Sequence, residues 1–528
     1  MSREYLSNID AAWLHMEEPT NLMMINGFFQ FNGSVDFDRI RITLEHRLLD
    51  RYGRFKQRVV ESRLPMRQPY WEIDPHFDID AHLHRIALPA PGDDAALYEM
   101  ISDLASTPLD FSKPLWQFHV IEGYTGGGDL LFCRLHHSIA DGIALMQVLL
   151  SMCDEDADAP WPEPAVERDR HKRGIGSLFR PYISAVKTSS RVVGTVASGG
   201  ADVILHPIAT VGKIKDAMGF SASFTARLGY LTILASDPKT VFKGPLGVTK
   251  VAAWSEPVPL GEIKMVGKAM GGTINDTLMA TVSGALRRYM IERDDSPDGL
   301  DVRAMVPVNL RSPEDALKNL GNNFALVLLA LPVGIEDPLE RFLVVRSRMD
   351  ELKDSAEPVV TYVVLQAMGL APAEVEKRGV EFYAAKTSLV LTNVPGPAEK
   401  LYFAGRRIEK LMFWVPQSGR MGLGVSIMSY AGEVLIGVIT DEGLVPDPET
   451  IVAYFHEDFE EMKSLVEQIE GQIYKGSVPM IDTAERGRCK ATTHAGAQCM
   501  NKAVAGSAFC HVHARIVSDS EDMARERA

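Results

Sequence analysis

The sequence predicts a mixed α/β protein, in which two α/β units are joined by a helical crossover and followed by a short tail. Three observations predict this arrangement. The chain has 528 residues, which is more than one hydrophobic core usually supports. Apolar runs with strand or helix periodicity fill residues 1–155 and again residues 241–474. The composition changes at 156–240 and at 475–528, so these ranges are predicted as a linker with the crossover and as the tail.

The overall composition is that of an ordinary globular protein, with 46% hydrophobic and 24% charged residues. A net charge of −15 argues against nucleic acid as the main partner. The five cysteines give no disulfide framework and suit a reducing compartment. We find no apolar signal segment at the start and no run of about 18 apolar residues, so no spanning helix is expected. We therefore expect a cytoplasmic protein.

The first unit is predicted to open with a helix whose start is capped by Ser7, followed by a strand at residues 23–31. A further strand is predicted at 117–123, directly after the triplet Pro114-Leu115-Trp116. Considered alone, such a triplet is most often a packed turn.

A buried strand at 130–135 and a helix starting at 143 enclose the residues around which the chain is organised. These residues are His136, His137, Asp141 and Gly142. Imidazole titrates near neutrality, so a histidine can take a proton from a hydroxyl group and return it within one catalytic cycle. Neighbouring strand side chains point to opposite faces, so one of the two histidines faces any given cleft.

The remaining two residues of this turn have simpler expected roles. Asp141 holds the turn together or orients an imidazole ring. Gly142 permits a positive φ and a close approach of substrate to the backbone. The alternative for the whole stretch is a pair of structural histidines bonded to a loop.

The linker is followed by a segment of opposite charge. Residues 154–164 are acidic and rich in proline, which is typical of an exposed linker. Residues 172–227 carry eight basic residues against two aspartates, interleaved with apolar side chains. Such a pattern is typical of an amphipathic segment on a membrane surface, and a crossover helix with solvated bases is an equal alternative. We expect docking on the inner face of the membrane or on lipid droplets.

The second unit contains a long helix with a stripe of apolar residues at 274, 278, 282 and 286. Thr273 or Asn275 is able to cap its start. A helix start presents unpaired N–H groups and partial positive charge, so Asn275 is also a candidate oxyanion donor. Asp276 is expected to be structural. Further strands are predicted at 302–311, 389–397, 425–430 and 434–440, and a closing helix at 449–470.

Several of these stretches resemble a known enzyme family. The pattern His-His-x-x-x-Asp-Gly at 136–142 is similar to the signature of the chloramphenicol acetyltransferase, carnitine acyltransferase and condensation-domain superfamily. The family is narrowed to the bacterial wax ester synthases/diacylglycerol acyltransferases by the segments 114–116, 275–276, 302–311, 319–324 and 389–397. Asn8 and Thr392 depart from the family pattern, in which proline and serine are usual.

The resemblance, which covers roughly residues 4–465, implies two chloramphenicol-acetyltransferase-like domains with a tunnel between them. It implies His137 as general base and Asp141 as a mainly structural residue. Long-chain acyl-CoA is the implied co-substrate, and no cofactor is implied for catalysis. The implied acceptor is diacylglycerol or a long-chain fatty alcohol, so the product is triacylglycerol or wax ester.

Two other functions share part of this pattern. A carrier-protein-dependent acyltransferase or condensation enzyme shares the histidine motif, but the chain carries no recognisable carrier or adenylation domain. A non-catalytic lipid-droplet protein needs the basic apolar segment alone. Sequence patterns for a serine hydrolase elbow, a P-loop and a dinucleotide-binding fingerprint are lacking. The preferred acceptor, the acyl length and the oligomeric state are not readable from the sequence.

The tail after residue 475 lies beyond the family resemblance and concentrates three of the five cysteines. Cys489, Cys499, Cys510 and His513 together would fill a tetrahedral zinc site, with His494 and His511 as alternative ligands. A segment this short needs such a staple in order to fold. The alternative is a disordered tail with free thiols.

Overall fold

The computed structural model describes residues 4–61, 68–164, 222–309, 324–368, 373–417 and 419–474. Residues 1–462 form one compact unit, and residues 463–528 are grouped apart from it. Of this second unit, the structure describes the end of one helix, to residue 474. Within the described ranges the fold is mixed α/β, as the sequence predicts.

The strands are numbered here in chain order. They are β1 (Glu4–Tyr5), β2 (Met24–Phe31), β3 (Gln57–Val60), β4 (Tyr70–Ile73), β5 (Leu83–Ala87), β6 (Trp116–Glu122), β7 (Leu130–His136), β8 (Lys250–Trp254), β9 (Val258–Pro259), β10 (Val302–Asn309), β11 (Phe324–Leu331), β12 (Leu389–Pro395), β13 (Tyr402–Phe403), β14 (Arg406–Trp414), β15 (Leu423–Tyr430) and β16 (Glu433–Asp441).

The α-helices are numbered in the same way. They are α1 (Asn8–His15), α2 (Phe37–Thr43), α3 (Asp94–Ser106), α4 (Gly142–Ser151), α5 (Ala222–Ile233), α6 (Leu260–Ala269), α7 (Ile274–Glu292), α8 (Pro338–Lys353), α9 (Glu357–Met368), α10 (Ala373–Ala384) and α11 (Pro448–Tyr474). Among the described residues, no helix combines the length and the apolar character that crossing a bilayer requires.

Local chemistry explains where several of these helices begin. The Ser7 side chain accepts a hydrogen bond from the Asp10 backbone and so caps α1, as predicted. Helix α7 begins at Thr273 with a capping box, in which Thr273 and Asp276 satisfy each other's backbone N–H groups. Of the two predicted caps of α7, the structure therefore selects Thr273.

The first sheet has six strands in the order β13-β14-β2-β7-β6-β5. Strands β2 and β7 are antiparallel, with Met24 opposite His136. Helix α4 packs beneath them, and its Leu145, Met146 and Leu149 face the apolar side of this sheet. The predicted strand at 130–135 and the helix after it are thereby confirmed.

The second sheet has the order β11-β10-β12-β15-β16-β8, and β9 also pairs with β16. Strands β15 and β16 form the predicted hairpin, with Ala431 and Gly432 both at positive φ, the geometry that a two-residue turn between strands favours. The helix predicted at 449–470 is observed as α11. A third, small sheet has the order β1-β4-β3.

Two strands from the later part of the chain join the first sheet, which the sequence pattern does not predict. Strands β13 and β14 lie between β12 and β15 in the chain, yet β14 pairs with β2 in the first sheet. Residues 402–414 therefore complete the sheet that carries the histidine motif. The division of the chain into units that end at residue 155 and begin at residue 241 stays a prediction.

Candidate active site

The histidine motif occupies a short buried turn between β7 and α4. The Asp141 side chain caps α4 by accepting a hydrogen bond from the Ala144 backbone at 2.8 Å. Asp141 is buried, and this bond gives it a structural task. Gly142 is the first residue of α4 and does not have a positive φ, so the conformation that glycine permits is not used there. A helix start needs no such conformation.

His136 is fully buried, and bonds to neighbouring groups use both of its ring nitrogens. The Ser138 backbone N–H donates to Nδ1 at 3.1 Å, and the Ser138 hydroxyl lies 2.8 Å from the same atom. Nε2 lies 2.9 Å from Oε2 of Glu17. Because Nδ1 accepts a backbone hydrogen, the neutral ring carries its proton on Nε2 and donates it to Glu17. His136 is thus held in place and has no ring nitrogen left for a substrate.

His137 lies in different surroundings, between α1 and the second sheet. Its ring stacks on Trp13 of α1 with the ring centres 4.0 Å apart. The Phe324 ring of β11 lies 5.6 Å away and tilted. The His137 backbone donates to the Met23 carbonyl at 2.8 Å, which anchors the residue at the end of the strand pair. The two histidines therefore separate, as strand geometry predicts, and His137 faces the second sheet.

An apolar cavity begins at the same tryptophan. It lies between α1, the second sheet, α9 and α10, and its lining includes Trp13, Met16, Met305, Leu326, Met368 and Tyr383. Burial raises the pKa of Tyr383, so its hydroxyl group stays protonated. Trp13 thus lies between the His137 ring and a cavity lined mainly by apolar side chains.

Arg134 is a buried cation on the same face of β7 as His136. Its guanidinium donates to Gln117 Oε1 at 2.7 Å and to the Thr107 carbonyl. Burial lowers the pKa of Arg134 to about 10, so the group remains charged at neutral pH. Through Thr107 it secures the start of the segment that leads to Trp116.

The Pro114-Leu115-Trp116 triplet belongs to the core rather than to the cavity described above. Trp116 is fully buried, and its indole N–H donates to the Phe55 carbonyl at 2.9 Å. Phe111, from the same segment, places its ring edge on His136, with the centres 5.7 Å apart. Residues 111–116 therefore pack against the His136 side of the motif.

Asn275 and Asp276 divide their roles at the start of α7. Asp276 is buried, and its Oδ2 accepts from the Thr273 N–H and hydroxyl, each at 2.8 Å. Asn275 is exposed, and its Oδ1 accepts from Asn393 Nδ2 at 2.6 Å. This bond brings together the segments 275–276 and 389–397, which are far apart in the chain.

Some predicted residues lie outside the described part of the chain. These are residues 319–323 of the family segment, the basic segment as far as residue 221, and all the candidate zinc ligands, Cys489, Cys499, Cys510 and His513. Within the ranges that the structure describes, no cluster of three or more His, Cys, Asp or Glu side chains suits a metal ion.

Three residues at the site were not singled out from the sequence. Trp13 and Glu17 come from α1 and the loop after it, and Phe324 comes from the first position of β11. Trp13 lies on the apolar face of a capped helix, and this position predicts burial and no role in a site. No feature of the sequence distinguishes Glu17 from its neighbour Glu18, which has the same side chain and lies at the surface.

Comparison with known proteins finds matching family models and sequence relatives. Residues 6–278 match the wax ester synthase/diacylglycerol acyltransferase catalytic domain, and residues 320–463 match the C-terminal domain of the same family. A putative diacylglycerol O-acyltransferase of Mycobacterium tuberculosis CDC 1551 is 30% identical over 475 residues, which are 87% of this chain and 90% of the relative. A probable diacylglycerol O-acyltransferase, tgs2, of Mycobacterium tuberculosis H37Rv is 30% identical over 75% of this chain and 84% of its own.

Solved structures share the fold at lower identity. A wax ester synthase/diacylglycerol acyltransferase from Marinobacter aquaeolei VT8 has a TM-score of 0.64 and 22% identity, over 88% of this chain and 100% of that one. The first condensation domain of the calcium-dependent antibiotic synthetase has a TM-score of 0.54 and 15% identity, over 88% of this chain and 96% of that domain. At these identities the structures establish a common fold.

Proposed function

This chain belongs to the wax ester synthase/diacylglycerol acyltransferase family, and from that premise we propose that it transfers a long-chain acyl group to a lipid hydroxyl at His137. The donor is acyl-CoA, and the acceptor is diacylglycerol or a long-chain alcohol. The observation that carries the proposal is the contact between Trp13 and His137, because Trp13 also lines the apolar cavity. A reacting group beside His137 would have its alkyl chain in that cavity.

The proposed mechanism is direct transfer with His137 as general base. His137 takes the proton of the acceptor hydroxyl, and the oxygen attacks the thioester carbonyl of acyl-CoA. The tetrahedral intermediate expels the CoA thiolate, which takes the proton back from His137, so ester and CoA are the products. General base assistance of this kind typically contributes about 10²- to 10⁴-fold to the rate.

The oxyanion of the intermediate needs donors close to His137. The first N–H groups of a helix lack partners within the helix, and α4 begins five residues after His137. Asp141 uses the Ala144 N–H and thereby leaves the N–H groups of Gly142 and Ile143 as candidate donors. We favour these over Asn275, because Asn275 is exposed to solvent, where a hydrogen bond to the oxyanion would be weaker.

The test is an assay with labelled palmitoyl-CoA and an equal mixture of dioleoylglycerol and hexadecanol. The wild type is expected to form labelled triacylglycerol, wax ester or both. His137→Ala is expected to lose at least about 10²-fold in turnover, as removal of a general base predicts. His76→Ala, at an exposed histidine of the first unit, is the matched control and should remain active.

Two outcomes contradict the proposal. Full activity of His137→Ala would remove the general base from the mechanism. If the wild type leaves acyl-CoA intact and makes no neutral lipid, a carrier-protein-dependent acyltransferase becomes the better hypothesis.

We also propose that the basic segment at 172–227 docks the protein on anionic lipid. Most of it lies outside the described residues, but Arg227 is described in α5. Its Nε donates to the buried Glu357 at 2.6 Å, and its guanidinium lies 4.5 Å from the Tyr230 ring. Arg227 therefore has a structural partner, and the other seven bases carry the proposal.

Attraction to an anionic surface is worth about 1 kcal/mol per basic residue. Neutralising the seven bases is therefore expected to reduce flotation of the protein with phosphatidylglycerol vesicles. Unchanged flotation would reject lipid docking by this segment.

A zinc site formed by Cys489, Cys499, Cys510 and His513 stays a prediction. Three thiolates and one imidazole suit tetrahedral zinc. About one zinc per chain, lost in Cys489→Ser, is the expected result of metal analysis. Less than one zinc in the wild type would favour a tail with free thiols.

A further inference from the structure

Glu17 is a mostly buried carboxylate next to the histidine motif, in the loop between α1 and β2. Its side chain is 12% exposed, and Oε2 makes two contacts. One contact is with Nε2 of His136 at 2.9 Å, and the other is with the backbone N–H of Met23 at 3.0 Å. A carboxylate buried in this way is costly unless donors surround it.

The first contact fixes the protonation of His136. The Ser138 backbone N–H points at Nδ1, so a hydrogen on Nδ1 would oppose another hydrogen. The proton of the neutral ring therefore resides on Nε2, and Glu17 is the acceptor that this tautomer requires. A carboxylate that accepts this hydrogen favours the same tautomer and the same ring orientation.

The second contact leads to His137. Met23 donates its N–H to Glu17 and accepts the His137 N–H at its carbonyl, at 2.8 Å. One carboxylate oxygen therefore holds the ring of the first histidine directly and the backbone of the second through one residue. Trp13, which stacks on the His137 ring, lies one helical turn before Glu17 in the same stretch of chain.

We propose that Glu17 is a positioning residue, which places His137 for proton transfer by holding His136 and Met23. This proposal rests on the proposed role of His137 as general base. Glu17 does not touch the substrate in this arrangement. Asp141, for which the sequence left open a role in holding the turn or in orienting a ring, caps α4.

The decisive variant is Glu17→Gln, with Glu18→Gln as the matched control. Because one oxygen accepts both hydrogens, a glutamine oxygen in its place can still accept them, but as a neutral amide it is a weaker acceptor than the carboxylate. If the amide turns over, its NH₂ group meets the Nε2–H of His136 donor to donor, so in either orientation the hold on the His136 tautomer is weakened. Glu18 differs by one position, and its carboxylate pairs at the surface with Lys377 at 2.6 Å. Such exposed pairs contribute about 0 to 1 kcal/mol.

We expect Glu17→Gln to lower kcat by about 10- to 100-fold, because a displacement of about 1 Å at a catalytic group has this effect. The KM for palmitoyl-CoA should change by less than about 3-fold, since substrate contacts are retained. Glu18→Gln should match the wild type in both constants. A purely structural role would instead lower the midpoint of thermal unfolding and leave kcat per folded molecule unchanged.

Nitrogen-15 NMR of histidine-labelled protein supplies a second measurement that does not depend on turnover. The wild type is expected to show one ring N–H signal shifted by a carboxylate acceptor, absent in both Glu17→Gln and His136→Gln. The double variant Glu17→Gln/His136→Gln should be no slower than the slower single variant, because both changes break one unit.

The results separate the two proposals. Wild-type kcat in Glu17→Gln, with His137→Ala inactive, rejects the positioning role and leaves the proposed function intact. Full activity in His137→Ala rejects both. If Glu17→Gln does not fold, a His136 signal in the wild type without a carboxylate acceptor rejects the positioning role.

Discussion

The starts of α4 and α7 are each held by an aspartate of a motif, but they have different neighbours. Asp141 is the N-cap of α4 and accepts from the Ala144 N–H, whereas Asp276 is the third residue of α7 and accepts from the N–H of its N-cap, Thr273. The start of α4 follows a buried turn that carries His136 and His137. The start of α7 carries the exposed Asn275. Hydrogen bonds at the helix starts therefore account for both aspartates. The neighbouring residues decide which helix start lies beside the proposed general base, His137.

This comparison teaches that a motif carries two kinds of residue. Some hold the backbone, and their hydrogen bonds are used within their own helix. Others leave groups facing a neighbouring element, as His137 does towards Trp13 and Phe324. The predictions below test whether the two helix starts differ in this way.

The largest effect is expected for Asp141→Ala. Losing the cap should cost about 0.5 to 2 kcal/mol in the free energy of unfolding. The start of α4 would also shift next to His137, and we expect kcat to fall about 10²-fold. Denaturant unfolding and the acyltransfer assay measure these two effects separately. If kcat per folded molecule is unchanged, the start of α4 is as remote from the reaction as that of α7.

A smaller and purely structural effect is expected for Asp276→Ala. The Thr273 N–H loses its acceptor, so the free energy of unfolding should fall by about 1 to 2 kcal/mol. Because this helix start lies away from His137 in our proposal, kcat should stay within about 3-fold of the wild type. A fall in kcat of more than about 10-fold would place α7 in the reaction and break the comparison.

The smallest effect is expected for Asn275→Ala. This residue is exposed, and its loss should change the free energy of unfolding by no more than about 0.5 kcal/mol. Removing an oxyanion donor typically lowers kcat by about 10²- to 10³-fold, and we expect less than a 10-fold fall. Steady-state kinetics with both acceptors measure this value. A fall of the larger size would identify Asn275 as the oxyanion donor in place of the α4 backbone.

Local elements of the fold could be predicted from the sequence because their signals are local. The apolar run that ends at the histidines gave β7, the stripe at 274 to 286 gave α7, and Ser7 gave the cap of α1. Thr273 was one of two possible caps, and the hydrogen bonds at the start of the folded helix distinguish it from Asn275. The same locality explains why the motif itself was recognised.

Features that depend on distant partners could not be predicted. The pairing of β14 with β2 joins residues almost 400 positions apart, and no periodicity encodes such a partner. The Glu17 contact with His136 crosses 119 positions, and the cavity needs α9, α10 and the second sheet together.

The pairing of β14 with β2 has a consequence for the synthesis of the protein on the ribosome. Strand β2 emerges early, but its partner β14 is made nearly 400 residues later. Until then β2 is the open edge of its sheet, with an unpaired row of backbone groups that invites other strands. Such distant pairing is slow to form and exposes intermediates to aggregation. We therefore expect the nascent chain to depend on chaperones until residue 414 has left the exit tunnel.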